Sequence, residues 1–108
     1  MQWQFSQVRQ GLDVSALVCD NDHTAVGVIR ACQQLGIDVP NELSVVGFDD
    51  IPKATQLFPA VTTMRVPREA MGRWAAKRLL EPKADDEIPV TITVPTSLVI
   101  RESTGPGE

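Results

Sequence analysis

The stretch from Ala16 to Phe48 leaves this chain few folds to choose from. Ala16-Leu17-Val18-Cys19 is a continuous apolar run, the pattern of a strand buried on both faces, and it stops at Asp20-Asn21-Asp22. A helical pattern begins at once, with Ala25, Val28, Ile29, Cys32 and Leu35 at i, i+3, i+4, i+7 and i+10 on one stripe. Asn21 or Asp22 can accept hydrogen bonds from the orphan N–H groups of its first turn, and Gly36 supplies the stop. Ile37 to Glu42 is a linker in which Pro40 forbids continuation. Leu43-Ser44-Val45-Val46-Gly47-Phe48 is then a second buried strand, and it too ends in acids, Asp49-Asp50. Strand, helix and strand within 33 residues make a βαβ unit, which requires a parallel sheet and a right-handed crossover. The fold class is therefore α/β, a parallel sheet with flanking helices.

The remaining segments read less sharply. Phe5, Val8 and Leu12 suggest a short helix stopped at Gly11. A second short helix is expected over Pro52 to Leu57, and Val61-Thr62-Thr63-Met64 reads as a brief strand. Pro67, at a first helical position, opens a longer helix to about Leu80, which Pro82 ends. Its stripe is Met71, Ala75 and Leu79 beside Gly72 and Ala76. Pro82 to Pro89 reads as a solvated loop. Val90 to Val94 alternates as a half-buried strand does, Pro95 breaks it, and Ser97 to Ile100 resumes. Gly105 to Glu108 is expected to be a frayed tail.

Composition narrows the function. The 108 residues suit one domain, and 43% hydrophobic with 22% charged residues is ordinary globular usage. A net charge of −4 disfavours a chain whose main work is gripping nucleic acid. No apolar run approaches the ~20 residues of a membrane span, and the start lacks a signal-peptide pattern, so a cytoplasmic protein is expected. Two cysteines, Cys19 and Cys32, make neither a disulfide framework nor a metal quartet, and both read as small buried hydrophobes. Asp20, Asp22 and Thr24 followed by Ala25 fail the pattern of a calcium loop, and one histidine, His23, excludes a multi-histidine zinc site. No nucleophile motif accompanies His23, and Gly47-Phe48-Asp49-Asp50 lacks the glycines and lysine of a phosphate loop. No catalytic residue, metal or cofactor is assigned.

Two features do point to chemistry. Asp20-Asn21-Asp22 and Asp49-Asp50 follow the carboxyl ends of adjacent parallel strands, where open α/β sheets bind ligands. These two clusters are the candidate ligand-binding group, since short carboxylates and amides suit a polyhydroxylated molecule and Asn21 can also donate. Arg65, Arg68, Arg73, Lys77, Arg78 and Lys83 place six of the ten bases between 65 and 83, where only Glu69 and Glu81 oppose them. With no aromatic platform or reading motif beside them, these bases read as a solvated helix face.

The order of motifs resembles a known family. Asn21-Asp22-His23-Thr24-Ala25-Val26-Gly27, Leu35-Gly36-Ile37-Asp38-Val39-Pro40 and Leu43 to Asp50 are followed by Pro59-Ala60-Val61-Thr62-Thr63. Then come Met71-Gly72 with Ala75-Ala76 and Leu79-Leu80, and finally Leu98 to Thr104. From about Val14 to Thr104 this is similar to the C-terminal part of the effector-binding domain of lactose-repressor (LacI/GalR) transcription regulators. The resemblance implies a partial fold of the periplasmic-binding-protein type, two α/β subdomains around a cleft for a sugar or related effector, with Asn21 and Asp49 lining it. It divides the chain into a helix remnant (1–13), a βαβ core (14–61), a hinge and crossover helix (62–81), return strands (82–104) and a tail (105–108). It implies a homodimer, partly through the helix beginning at Asp22, with Val26 on its outward side beside Arg30 and Gln33. Val66 departs from the family pattern where some members carry a polar cleft residue. The family's helix-turn-helix reader and first subdomain are not matched, so no direct nucleic-acid or membrane contact is expected of this chain. A sugar-binding transport component sharing the fold is the alternative. The stripe of the 67–80 helix is expected to lack an intramolecular cover and to favour self-association.

Overall fold

The computed structural model describes residues 14–81 and 91–106. Strand β1 (Ala16–Val18) and strand β2 (Ser44–Val46) pair in parallel, with Leu17 opposite Val45, and helix α1 (Asp22–Leu35) crosses between them. The next segment continues the parallel order. Gly47 N–H donates to Thr62 O at 2.9 Å and Asp49 N–H to Met64 O at 3.0 Å, which lays strand β3 (Thr63–Arg65) alongside the end of β2. Strand β4 (Ser97–Val99) then pairs antiparallel with β3. The parallel α/β class read from the sequence is the class observed.

Local chemistry sets the bounds of α1. Asn21 is extended, and its Oδ1 accepts from Thr24 N–H at 2.9 Å, satisfying one orphan donor. Gly36 ends the helix in the left-handed region at φ 73°, where a β-carbon is penalised. Between these caps Ala25, Val28, Ile29 and Cys32 are buried as their spacing requires. They meet Cys19, Leu43, Val45, Ala54 and Val61 in one cluster. A fully buried Val or Ile contributes about 1.5–3 kcal/mol, so Ile29, Val45 and Val61 anchor this core. Val26 is buried as well, not outward-facing. The single-turn 3₁₀ helix Pro52–Thr55, shorter than the Pro52–Leu57 span read from the sequence, packs on α1, with Ala54 in the core cluster.

β1 departs from the expectation of two-sided burial. Leu17 is half-buried, but Ala16 and Val18 are exposed, Val18 by 81%. Side chains alternate across a strand, and among the described residues α1 covers only one face of the pair. The apolar run was read correctly as a strand, but the second layer it calls for is not there among those residues.

Asp22 ties these elements together. Its side chain is fully buried, Oδ1 accepts from the Thr63 hydroxyl at 2.6 Å, and Oδ2 accepts from Ile51 N–H at 2.9 Å. Its own N–H donates to Phe48 O at 3.0 Å. Gly47 lies directly beneath the carboxylate, and a β-carbon there would collide with Asp22 Oδ1 and lie 3.1 Å from its Cα. Ser103, in the turn that follows β4, does a similar job: its hydroxyl donates to Val45 O at 2.6 Å and accepts from Thr62 N–H at 2.8 Å.

Helix α2 (Arg68–Leu80) buries none of its residues. Pro67 caps its start rather than occupying the first helical position, a one-residue shift. Met71, Trp74, Leu79 and Leu80 all face solvent, Leu80 by 86%, and Arg78 stacks 5.9 Å from the Trp74 ring centre. Thr91 to Val94 do not form the expected strand: Pro95 offers no donor, and pairing to β3 begins only at Ser97. Gly105 is not frayed, because its N–H donates to Ser44 Oγ at 3.1 Å. The readings at Phe5 to Leu12, Pro82 to Val90 and Gly107-Glu108 lie outside the described residues. Among those described, no helix is long and apolar enough to cross a membrane.

Two outcomes are expected. Asp22→Ala strands the Thr63 hydroxyl and the Ile51 N–H, each a loss of about 1–3 kcal/mol, so urea unfolding should show a much lower midpoint at an unchanged slope. Burial, and then the charges of Asp20 and Asp22, push the Cys19 thiol up to about 11. A raised value means that its contribution to stability is whole below the free-thiol range near pH 9 and is lost as pH rises through about 11. Alkylation at neutral pH should therefore proceed only through unfolding, and fast labelling of the folded chain would contradict the burial of both thiols.

Candidate functional site

The carboxyl ends of β1 and β2 meet through the Asp22–Phe48 backbone hydrogen bond. Asn21 and Asp49 are each one residue from that bond, so the structure brings both candidates to the same end of the parallel pair. Both are half-buried. Asn21 has committed Oδ1 to its helix cap, leaving its amide nitrogen to donate. The Asp49 carboxylate accepts no hydrogen bond from any described residue. His23 and Asp20 are exposed nearby.

The neighbouring acid has the opposite fate. Asp50 Oδ2 accepts from Arg65 Nε at 2.7 Å, and Oδ1 accepts from Arg101 Nη2 at 2.6 Å. Burial alone would raise its carboxyl, but the hydrogen bonds and charges of Arg65 and Arg101 overcome this and hold it below the usual carboxylate range. Arg101 also donates from Nη1 to Val61 O at 2.9 Å, and Arg68 from Nη1 to Asp49 O at 2.6 Å. Both aspartates sit at positive φ, 114° and 60°, a region that side chains other than glycine rarely occupy.

An open cleft of about 620 Å³ runs from this loop along the start of α2, lined by Asp50, Arg65, Val66, Arg68, Arg73 and Ser97 among others. Asn21 and Asp49 do not line it. Val66 gives it an apolar wall. The basic stretch is thus divided: Arg65 and Arg68 turn to the Asp49-Asp50 loop, whereas Arg73 pairs with Glu69 at 2.9 Å on the open helix surface. Among the described residues no three His, Cys, Asp or Glu side chains could together hold a metal ion.

Sequence reasoning missed Asp22 as more than a cap, and it missed Asp50, Arg65, Arg68 and Arg101 as a unit. One signal was available, a glycine at the end of an otherwise apolar strand, since Gly47 marks the close approach of another group. Nothing in the spacing of Arg101, 51 residues beyond Asp50, could have shown their contact.

Residues 2–104 match the family of periplasmic binding protein-like domains. The transcriptional regulator MalR of Streptomyces coelicolor is 46% identical across 91% of this chain and 29% of its own length. The lactose operon repressor of Rhizobium radiobacter is 39% identical across 82% of this chain and 78% of its own length. Among solved structures, the Lac repressor dimer bound to operator and the anti-inducer ONPF superposes with a TM-score of 0.85 at 29% identity, over 95% of this chain and 36% of that one. The chain spans about three tenths of the length of MalR, and these relatives are named as regulators and repressors, not enzymes. A parallel α/β core that superposes on Lac repressor, matched along nearly its whole length by the family model, makes this chain a member of the periplasmic binding protein-like family in the form carried by LacI-type transcription regulators.

Proposed function

We propose that the chain senses a small polyhydroxylated effector, of the sugar class, as part of a cytoplasmic LacI-type regulator, and that it does so without catalysis. The observation that carries this reading is the state of the Asp49 carboxylate. Asp22 and Asp50 are spent on internal hydrogen bonds, while Asp49, at the carboxyl end of β2, is half-buried with no partner among the described residues. A half-buried carboxylate is costly unless something donates to it, and sugar hydroxyls do so well. Asn21 serves as the matching donor. Residues 14–61 are the core that holds the two groups, and 62–81 the hinge and crossover helix.

The bases of α2 face protein rather than nucleic acid in this reading. Met71, Ala75 and Leu79 form an exposed apolar stripe that another polypeptide surface covers, and the 108-residue chain by itself recruits a second copy for that purpose.

Two measurements test these statements. In calorimetric titration with lactose, maltose and melibiose, Asp49→Ala should lose about 1.5–3 kcal/mol of binding free energy for whichever sugar binds, the value of hydrogen bonds to a charged group. Unchanged affinity in both Asp49→Ala and Asn21→Ala would overturn the assignment. Sedimentation should show concentration-dependent association of the chain, reversed by Met71→Glu with Leu79→Glu. A compact monomer that unfolds in one sharp step would mean that α2 is covered from within.

A further inference from the structure

The Asp49-Asp50 loop holds two side-chain-bearing residues at positive φ, and such a conformation persists only where its surroundings over-determine it. Three arginines from separate parts of the chain supply that constraint. Arg65, on β3, and Arg101, after β4, take one Asp50 oxygen each, at 2.7 and 2.6 Å. Arg68, the first residue of α2, donates to Asp49 O at 2.6 Å and to Asp50 O at 3.4 Å. Arg101 is itself fixed, by Nη1 on Val61 O at 2.9 Å and by its backbone N–H on Thr62 Oγ1 at 2.9 Å. Each arginine grip on the loop falls on the Asp50 carboxylate or on a loop carbonyl, Asp49 N–H adds its bond to Met64 O at 3.0 Å, and none of these engages the Asp49 carboxylate. The Arg101–Asp50 pair is also the more enclosed, with side chains 15% and 12% exposed, so water competes with it weakly.

We infer that Asp50 and Arg101 are positioning residues whose ion pair holds the loop in its left-handed turn and so aims the free Asp49 carboxylate at the effector. Arg65 and Arg68 steady the same turn from the cleft side. The inference rests on the reading of Asp49 as an effector-binding group. The mechanism is rotational: if φ at Asp49 relaxes to a common negative value, its carboxylate leaves the end of β2 while the core beneath it stays as it was. Arginine is required at 101 because one guanidinium reaches both Asp50 Oδ1 and Val61 O, a fork that a lysine ammonium on a single stem does not reproduce.

The test uses the 108-residue chain. Three-bond and residual dipolar couplings give φ at Asp49 and Asp50 in the wild type, Arg101→Lys, Arg101→Ala and Asp50→Asn, and urea unfolding reports global stability. Each chain is also titrated with lactose, maltose and melibiose. The expected result is that Arg101→Ala and Asp50→Asn lose the positive φ at Asp49 while α1 and its core keep their amide shifts. Sugar affinity should fall by about tenfold or more in these two, the scale on which misplacement of a positioned group acts, and Arg101→Lys should recover part of it. If both variants keep the Asp49 φ and the wild-type affinity, the positioning role is wrong. If Asp49→Asn keeps the wild-type affinity, the effector assignment fails instead, and the couplings alone still decide whether the pair holds the turn.

Discussion

The buried carboxylate of Asp22 is the constraint on which the rest of this molecule rests. A charge taken out of water is tolerated only when its lone pairs are filled, and the fold fills them from two places: the Thr63 hydroxyl on β3 and the Ile51 N–H beyond β2. Both donors lie far from Asp22 in sequence, so they reach it only when β2 and β3 are in register. Gly47 lets the carboxylate lie against β2 without a side chain intervening. The start of α1, the end of β2 and the start of β3 are thereby held at one point, beside the candidate residues Asn21 and Asp49.

Around that point, three acids follow three courses. Asp22 faces inward and is structural. Asp50 is divided between two guanidinium groups and holds its carboxyl in the ionised range. Asp49, between them, keeps its side chain free of the described residues. Arg65 and Arg101 pair with Asp50 and leave the Asp49 carboxylate unengaged among the described residues. In the proposed function this leaves one acid available for a ligand.

Helix α2 shows how an element can be legible in the sequence and still not be a core element. Arg68 to Leu80 has good helix formers, a proline at its start and an i,i+4 Arg73–Glu69 pair, and it forms the expected helix. No described residue covers its apolar side. Propensity and periodicity report that a face exists, but they do not identify its partner. The same limit applies to β1, whose unbroken apolar run implies two covered faces although α1 covers one. Val26 errs in the other direction: the resemblance put it on the outward side of α1, beside Arg30 and Gln33, where a partner would meet it, but it is buried in the chain's own core cluster.

Local pattern was sufficient wherever the governing interaction is local. The cap at Asn21, the left-handed stop at Gly36, the stripe from Ala25 to Cys32 and the parallel βαβ class all follow from neighbours within a few residues, where spacing is geometry. Strand ends also marked Asn21 and Asp49 as candidates, and the fold brings both to the same end of the parallel pair. The pairing of Asp50 with Arg101, the seat of Asp22 on Thr63, and the role of Ser103 between Val45 and Thr62 were decided only by the tertiary fold. These contacts span 41 to 58 residues, and at that separation it is the packing of strands, not the spacing of residues, that determines which donor meets which acceptor.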